Sequence, residues 1–168
     1  MENSIERGGC NLTSNEIGLI TRLLGPNHCC LCSGIGQLAI SRKSFLGKSF
    51  EYSNEKLIPD NSSLPWSPTS PSKNIYDWKI ILKVGVLLIS QHKDSKKYYI
   101  QAIDMANEKI AINHLIEPDT DFKRRRRFIL TFETKLGTFC LNFVDDDEAD
   151  YFTKRLEKII LKYENCYE

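Results

Sequence analysis

The feature that most constrains the fold is a run of short segments with strand-like patterning and no helix among them. Between residues 34 and 144, six segments are rich in β-branched and aromatic residues. They cover residues 34–40, 79–90, 96–105, 109–116, 127–133 and 138–144. Turn-forming residues separate them, as at 93–95 and 106–108. Because successive strands without intervening helices form antiparallel meanders, the pattern predicts a β-sandwich or a β-barrel.

Two capped amphipathic helices flank this strand-rich region. Thr13 and Glu16 have the spacing of a capping box, and the Gly25-Pro26 pair marks the end of the first helix. Asp145 is a suitable N-cap for a second helix, whose apolar residues recur at spacings of three and four. Those residues are Ala149, Phe152, Leu156, Ile159 and Tyr163. A single long helix after the strands predicts a barrel with one open end covered.

Composition excludes several classes of protein. The chain has 168 residues, the size of one domain, and 23 Lys and Arg against 22 Asp and Glu leave a net charge of +1. That balance argues against a nucleic-acid partner bound through overall charge. The longest apolar run, 84–89, is too short to span a bilayer, and the polar start is not a secretory signal. These features predict a cytoplasmic protein with no transmembrane segment.

The cysteines and histidines do not form a recognisable chemical site. Cys29, Cys30 and Cys32 are clustered, but a zinc site would need a second pair at suitable spacing. Intracellular thiols stay reduced, so we interpret these cysteines as apolar side chains entering a strand. The three histidines lie outside any catalytic motif. The sequence therefore predicts no metal, no cofactor and no enzymatic activity.

Residues 41–77 depart from the strand pattern. They hold four of the six prolines together with many serines and asparagines. Since proline lacks an amide donor, this stretch is not an interior strand. We interpret it as an inserted loop within a domain at 12–163, preceded by a flexible N-terminus at 1–11 and followed by a tail at 164–168.

A run of four arginines is the strongest charge feature. Arg124, Arg125, Arg126 and Arg127 follow Lys123. Guanidinium groups pair well with carboxylates and phosphates, so the run is suited to the acidic flanks of a protein ligand or to phosphoinositide headgroups. A run of this kind is most often a solvated turn that enters a strand, and nuclear import is a further alternative, so the sequence leaves these interpretations open.

Several motifs resemble a WASP-homology (EVH-type) domain. Residues 136–152 read LGTFCLNFVDDDEADYF, similar to the family's last strand, acidic cap and final helix. YYIQAID at 98–104 resembles its aromatic strand, and LTF at 130–132 resembles a later one. The segment from 23 to 38 resembles the Wiskott–Aldrich syndrome protein branch. In order and spacing the resemblance covers residues 12–163 apart from the inserted loop.

The resemblance implies a pleckstrin-homology-like fold, a bent seven-stranded antiparallel barrel capped by a C-terminal helix, here with an extra N-terminal helix. It implies a monomeric, non-enzymatic module that binds proline-rich, polyproline II segments of partners like the WASP-interacting protein, at the actin cytoskeleton. The alternatives are a phosphoinositide-binding module and a decapping-cofactor-like scaffold. The end of the chain soon after the predicted helix fits either an excised domain or a standalone adaptor.

The resemblance also assigns ligand-contacting positions. The family's groove centres on a tryptophan that corresponds to Trp78, and its two other groove aromatics correspond to Ala39 and Ile129. A ligand-binding arginine of the family corresponds to Gln101. Phe128 is next to Ile129, but alternation along a strand predicts that it faces the opposite way. The Trp78 indole is therefore the main predicted stacking surface.

Overall fold

The fold consists of one antiparallel sheet of seven strands, with one helix before the strands in the chain and one helix after them. The computed structural model describes residues 12–41, 78–135 and 137–166. The inserted loop beyond Ser41 and the predicted flexible N-terminus lie outside these residues. The elements are α1 (Ser14–Leu24), β1 (His28–Ser41), β2 (Trp78–His92), β3 (Tyr98–Asp104), β4 (Lys109–Leu115), β5 (Phe122–Arg126), β6 (Ile129–Thr134), β7 (Gly137–Phe143) and α2 (Asp146–Asn165).

The strand order confirms the predicted antiparallel architecture. The order is β4-β3-β2-β1-β7-β6-β5, so β1 and β2 are interior strands and β4 and β5 are the edges. The inner face of the sheet carries a continuous apolar core that includes Leu38, Phe132 and Leu141, all fully buried. Helix α2 adds Phe152 and Leu156 to this core, which confirms the predicted barrel closed by the C-terminal helix.

Both helix starts have the predicted caps. The Thr13 amide donates to Glu16 Oε2 at 2.7 Å, and the Glu16 amide donates to Thr13 Oγ1 at 3.3 Å, which completes the capping box. Asp145 Oδ1 accepts from the amides of Asp147 at 2.8 Å and Glu148 at 3.1 Å. Helix α1 ends at Leu24, before Gly25 with φ 79°, a conformation that favours glycine.

Helix α2 is fixed to the sheet by apolar and polar contacts. The Phe152 and Phe143 ring centroids lie 5.1 Å apart, and the buried Glu148 side chain accepts from the Ile35 amide at 2.8 Å. This carboxylate therefore ties the first turn of α2 to β1. In the described part of the chain, neither helix is long and apolar enough to cross a membrane.

Most of the predicted strand boundaries lie within two residues of the observed ones, and the start of β1 differs most. Strand β1 begins at His28 rather than at residue 34, so the cysteine cluster lies within a strand, as interpreted. Burial raises the pKa of the Cys32 thiol to about 12, which makes it unreactive. The predicted strand at 127–133 was wrong at its start, because residues 127 and 128 form a turn and β6 begins at Ile129. Strand β5, which precedes that turn, was not predicted at all.

Candidate functional site

The outer face of the sheet brings together residues from four strands. Ala39 of β1 pairs with Cys140 of β7, and Cys140 pairs with Thr131 of β6. Ser41, two positions beyond Ala39, pairs with Trp78 of β2. Residues directly opposite each other, and residues two apart on one strand, share a face. Trp78 therefore lies on the same face as this row, opposite the apolar core.

Four of the five predicted peptide-contacting residues form one cluster. Ala39 and Ile129 are buried, and Trp78 and Phe128 are half-buried against them and Cys140. The expectation that Phe128 faces away from Ile129 was wrong. Phe128 lies in the β5–β6 turn, where the alternation of a strand does not apply, and its ring packs on the same side.

A cavity of about 230 Å³ opens beside this cluster, and we call it the Trp78 pocket. Its lining combines an indole, an aliphatic side chain, two hydroxyls and three charged groups. These residues are Trp78, Arg125, Arg126, Ile129, Thr131, Glu133 and Thr138. The two threonines are almost fully buried and form a small polar floor, and the larger indole is half-buried, so the pocket offers a flat aromatic wall beside hydrogen-bonding groups.

A β-bulge divides the arginine run. Arg124 pairs with Leu130 and Arg126 pairs with Ile129, so Arg125 is an additional residue without a cross-strand counterpart. The bulge allows the neighbours Arg125 and Arg126 to line the same pocket. Arg125 Nε donates to Thr131 Oγ1 at 3.1 Å, which fixes its guanidinium beside the pocket.

The other two arginines of the run contact α2 instead. Arg124 forms an ion pair with Asp150 at 2.9 Å and donates to Thr153 Oγ1 at 3.0 Å. Arg127 forms an ion pair with Asp146 in the first turn of the same helix. Arg124 and Arg127 therefore join the β5–β6 turn to α2, and only Arg125 and Arg126 line the Trp78 pocket.

Gln101 lies elsewhere in the fold. It is on β3 with 2% of its surface exposed. Its Oε1 accepts from Ser90 Oγ at 2.6 Å, and its Nε2 donates to Asn113 Oδ1 at 3.0 Å. This buried amide does not line the Trp78 pocket, contrary to the position carried over from the family.

Sequence reasoning missed the polar part of the pocket. Thr138 Oγ1 donates to Glu133 Oε2 at 2.7 Å, and Thr131, whose cross-strand partner is Cys140, lines the pocket beside them. Alternation along β7 could have identified Thr138 and Cys140, since they occupy the positions between the core residues. Burial raises the pKa of the Cys140 thiol to about 12, so this cysteine serves as a small apolar side chain, not as a nucleophile.

Comparisons with known proteins identify the family and support the fold. The family model of the WH1 domain matches residues 69–160, more than half of the chain, including Trp78 and the arginine run. The fold is similar to the Ran-binding domain of the nuclear complex component Nup2 from Ashbya gossypii, with 13% sequence identity, a TM-score of 0.50, and coverage of 84% of this chain and 99% of that one. At this identity the likeness supports the pleckstrin-homology-like fold alone. No curated protein sequence matches the chain. The chain belongs to the WH1 domain family, a family of non-catalytic protein-interaction domains.

Proposed function

We propose that this domain binds an extended proline-rich segment of a partner protein across the Trp78 pocket. The observation that carries the proposal is the position of the indole, which is half-buried on the outer face and forms a wall of a cavity. A polyproline II segment loses little conformational entropy on binding, and its flat rings stack well on an indole. By its family resemblance, the partner is an actin regulator like the WASP-interacting protein, bound in the cytoplasm.

Phe128 adds a second aromatic surface to this proposal. Ile129 and Ala39 occupy two positions where the family carries aromatic residues, and both are buried. Phe128 packs against the same cluster from the β5–β6 turn. We infer that its ring takes the place of an aromatic residue at Ile129, so the ligand contacts Trp78 and Phe128 together.

Trp78→Ala is expected to weaken the binding of a proline-rich peptide by about 1–3 kcal/mol, a roughly 5- to 150-fold increase in Kd. The substitution removes the broad wall of the pocket but leaves the polar floor in place. The measurement is fluorescence anisotropy with labelled decaproline, followed by the best sequence from a proline-rich peptide array.

Val84→Ala is the matched control, because Val84 lies on the same strand with 70% of its surface exposed. It should leave the Kd unchanged, and Trp78→Phe, which keeps a flat ring, should restore part of the affinity. Equal affinity of the parent and Trp78→Ala for the best array peptide would rule out the Trp78 pocket as the binding site.

We also propose that Arg125 and Arg126 contact acidic residues flanking the proline-rich segment. Both side chains are exposed and line the Trp78 pocket, whereas Arg124 and Arg127 pair with α2. An Asp-Glu extension on the peptide should therefore strengthen binding by about 0.2–1 kcal/mol per ion pair, an effect that salt screens.

The double variant Arg125→Ala, Arg126→Ala should abolish the preference for the acidic extension. Arg124→Ala is the matched control from the same run, and it should lower stability but retain the preference. The measurement is the difference in Kd between the plain and extended peptides at low and high salt. A preference that survives the double variant would place the acidic contact elsewhere.

The geometry favours a protein ligand over a phosphoinositide for this surface. Asp146 and Asp150 neutralise two of the four arginines, which lowers the positive potential near the turn. Flotation with vesicles that contain or lack phosphoinositides separates the two ligands. Binding that depends on phosphoinositide and is lost in the Arg125, Arg126 double variant would favour the lipid.

A further inference from the structure

A second and larger cleft lies on the open side of the sheet, between edge strand β4 and the β6–β7 hairpin. Its volume is about 640 Å³, and one wall is formed by consecutive residues 111–115 of β4. The opposite wall is formed by residues 133–135 and Phe139. This β4 cleft adjoins the Trp78 pocket at Glu133, which lines both, and is otherwise lined by different residues.

The charges around the β4 cleft have the opposite sign to the arginines of the Trp78 pocket. Glu117, Asp119 and Glu133 line it, against the single cation of Lys135. Burial lowers the pKa of His114, although Glu117 opposes the shift, so the imidazole adds little positive charge near pH 7. Within residues 12–41, 78–135 and 137–166, Glu117 and Asp119 form no ion pair.

The backbone of β4 is the second recognition element. In the described part of the chain, β4 pairs only with β3, so its other edge faces the cleft. An exposed strand edge can add an extended peptide through main-chain hydrogen bonds. The half-buried Ala111 and Leu115 supply an apolar surface on which the aliphatic stem of a long side chain can lie.

We propose that the β4 cleft binds an extended peptide segment that presents a lysine or arginine side chain. The peptide backbone lies along the edge of β4, and the cation lies among Glu117, Asp119 and Glu133. A strand edge favours an extended backbone, and the excess of carboxylates favours a basic side chain over an acidic one. Apart from Glu133, the site uses no residue of the Trp78 pocket, and it does not depend on Trp78.

The test uses the full chain labelled with ¹⁵N and titrated with acetyl-Val-Lys-Val-Lys-Val-amide. Saturable amide shifts are expected at residues 111–115 and at Glu133. The matched peptide acetyl-Val-Glu-Val-Glu-Val-amide should give no saturable shift. The double variant Glu117→Gln, Asp119→Asn should raise the Kd of the lysine peptide by about fivefold, since each exposed ion pair contributes modestly. Trp78→Ala should leave this Kd unchanged.

Three results would overturn the proposal. One is equal binding of both peptides, and another is binding of the lysine peptide that is lost in Trp78→Ala. The third is binding of the lysine peptide only after residues 42–77 are replaced by a short Gly-Ser linker, which would make the chain's own segment the occupant. Because Glu117 and Asp119 are exposed, the double variant is expected to fold, and its unshifted spectrum elsewhere verifies this.

Discussion

Gly85→Ala is expected to destabilise the domain by about 3 kcal/mol or more, at the upper end of overpacking costs. An added Cβ would lie 2.5 Å from the backbone oxygen of Ile103 and 2.3 Å from Leu82 Cδ2. The leucine can change rotamer, but the backbone oxygen belongs to the β2–β3 ladder and cannot move without breaking strand pairing. The measurement is the free energy of unfolding from urea denaturation followed by circular dichroism.

Gly18→Ala is the matched control for this substitution. Gly18 lies on the exposed side of α1, and an added Cβ would have nothing within 4 Å. Because alanine favours a helix more than glycine does, this variant should gain up to about 1 kcal/mol. If Gly85→Ala were as stable as the parent, β2 and β3 could not lie as close together at Gly85 as the structure places them.

Gly85 is one of two glycines that lie opposite each other on the neighbouring strands β1 and β2. Gly85 is the cross-strand partner of Gly36, and a Cβ on Gly36 would lie 2.5 Å from the backbone oxygen of Asn142. The sequence shows two glycines in separate strands and gives no sign that they meet. Their role depends on strand register, which is a long-range property, so it could not be predicted from local patterns.

Features determined by neighbouring residues were predicted well. The capping box at Thr13 and the Asp145 cap need only a few consecutive residues, and both are present. The apolar stripe of α2 depends on helical periodicity alone, and its members through Ile159 are buried. The period-two alternation of β7 likewise gave its core face correctly.

Strand β5 and the division of the arginine run were not predictable in this way. The sequence FKRRR of β5 has one aromatic residue and no β-branched residue, so propensity gives no strand signal. The strand forms because it pairs with β6 and because Arg124 and Arg127 reach α2. A single-residue bulge then decides which arginines face the Trp78 pocket, and that depends on register.

Phe152→Ala is expected to cost about 3–5 kcal/mol of unfolding free energy, the range for a buried aromatic truncation. Phe152 is 1% exposed, and its ring lies 5.1 Å from that of Phe143 at the junction of β7 and α2. The truncation leaves a cavity that Glu148 and Leu156, both fixed in the same helix, cannot fill. Urea denaturation measures the loss.

The adjacent Tyr151→Ala is the matched control on the same helix. Tyr151 is 37% exposed, and the centroid of its ring lies 6.0 Å from Arg155 Cζ. Truncation should therefore lower the unfolding free energy by at most about 1 kcal/mol. Similar losses of unfolding free energy for Phe152→Ala and Tyr151→Ala would mean that α2 does not close the barrel.

Peptide binding by Phe152→Ala separates the roles of α2 and the outer face. Phe152 contacts the inner core, whereas the Trp78 pocket lies on the opposite face of the sheet and has no α2 residue in its lining. Under conditions where the variant stays folded, its Kd for the proline-rich peptide should therefore equal that of the parent. A weakened Kd in the folded variant would instead show that α2 positions the pocket, with Arg124 and Arg127 as the connection between them.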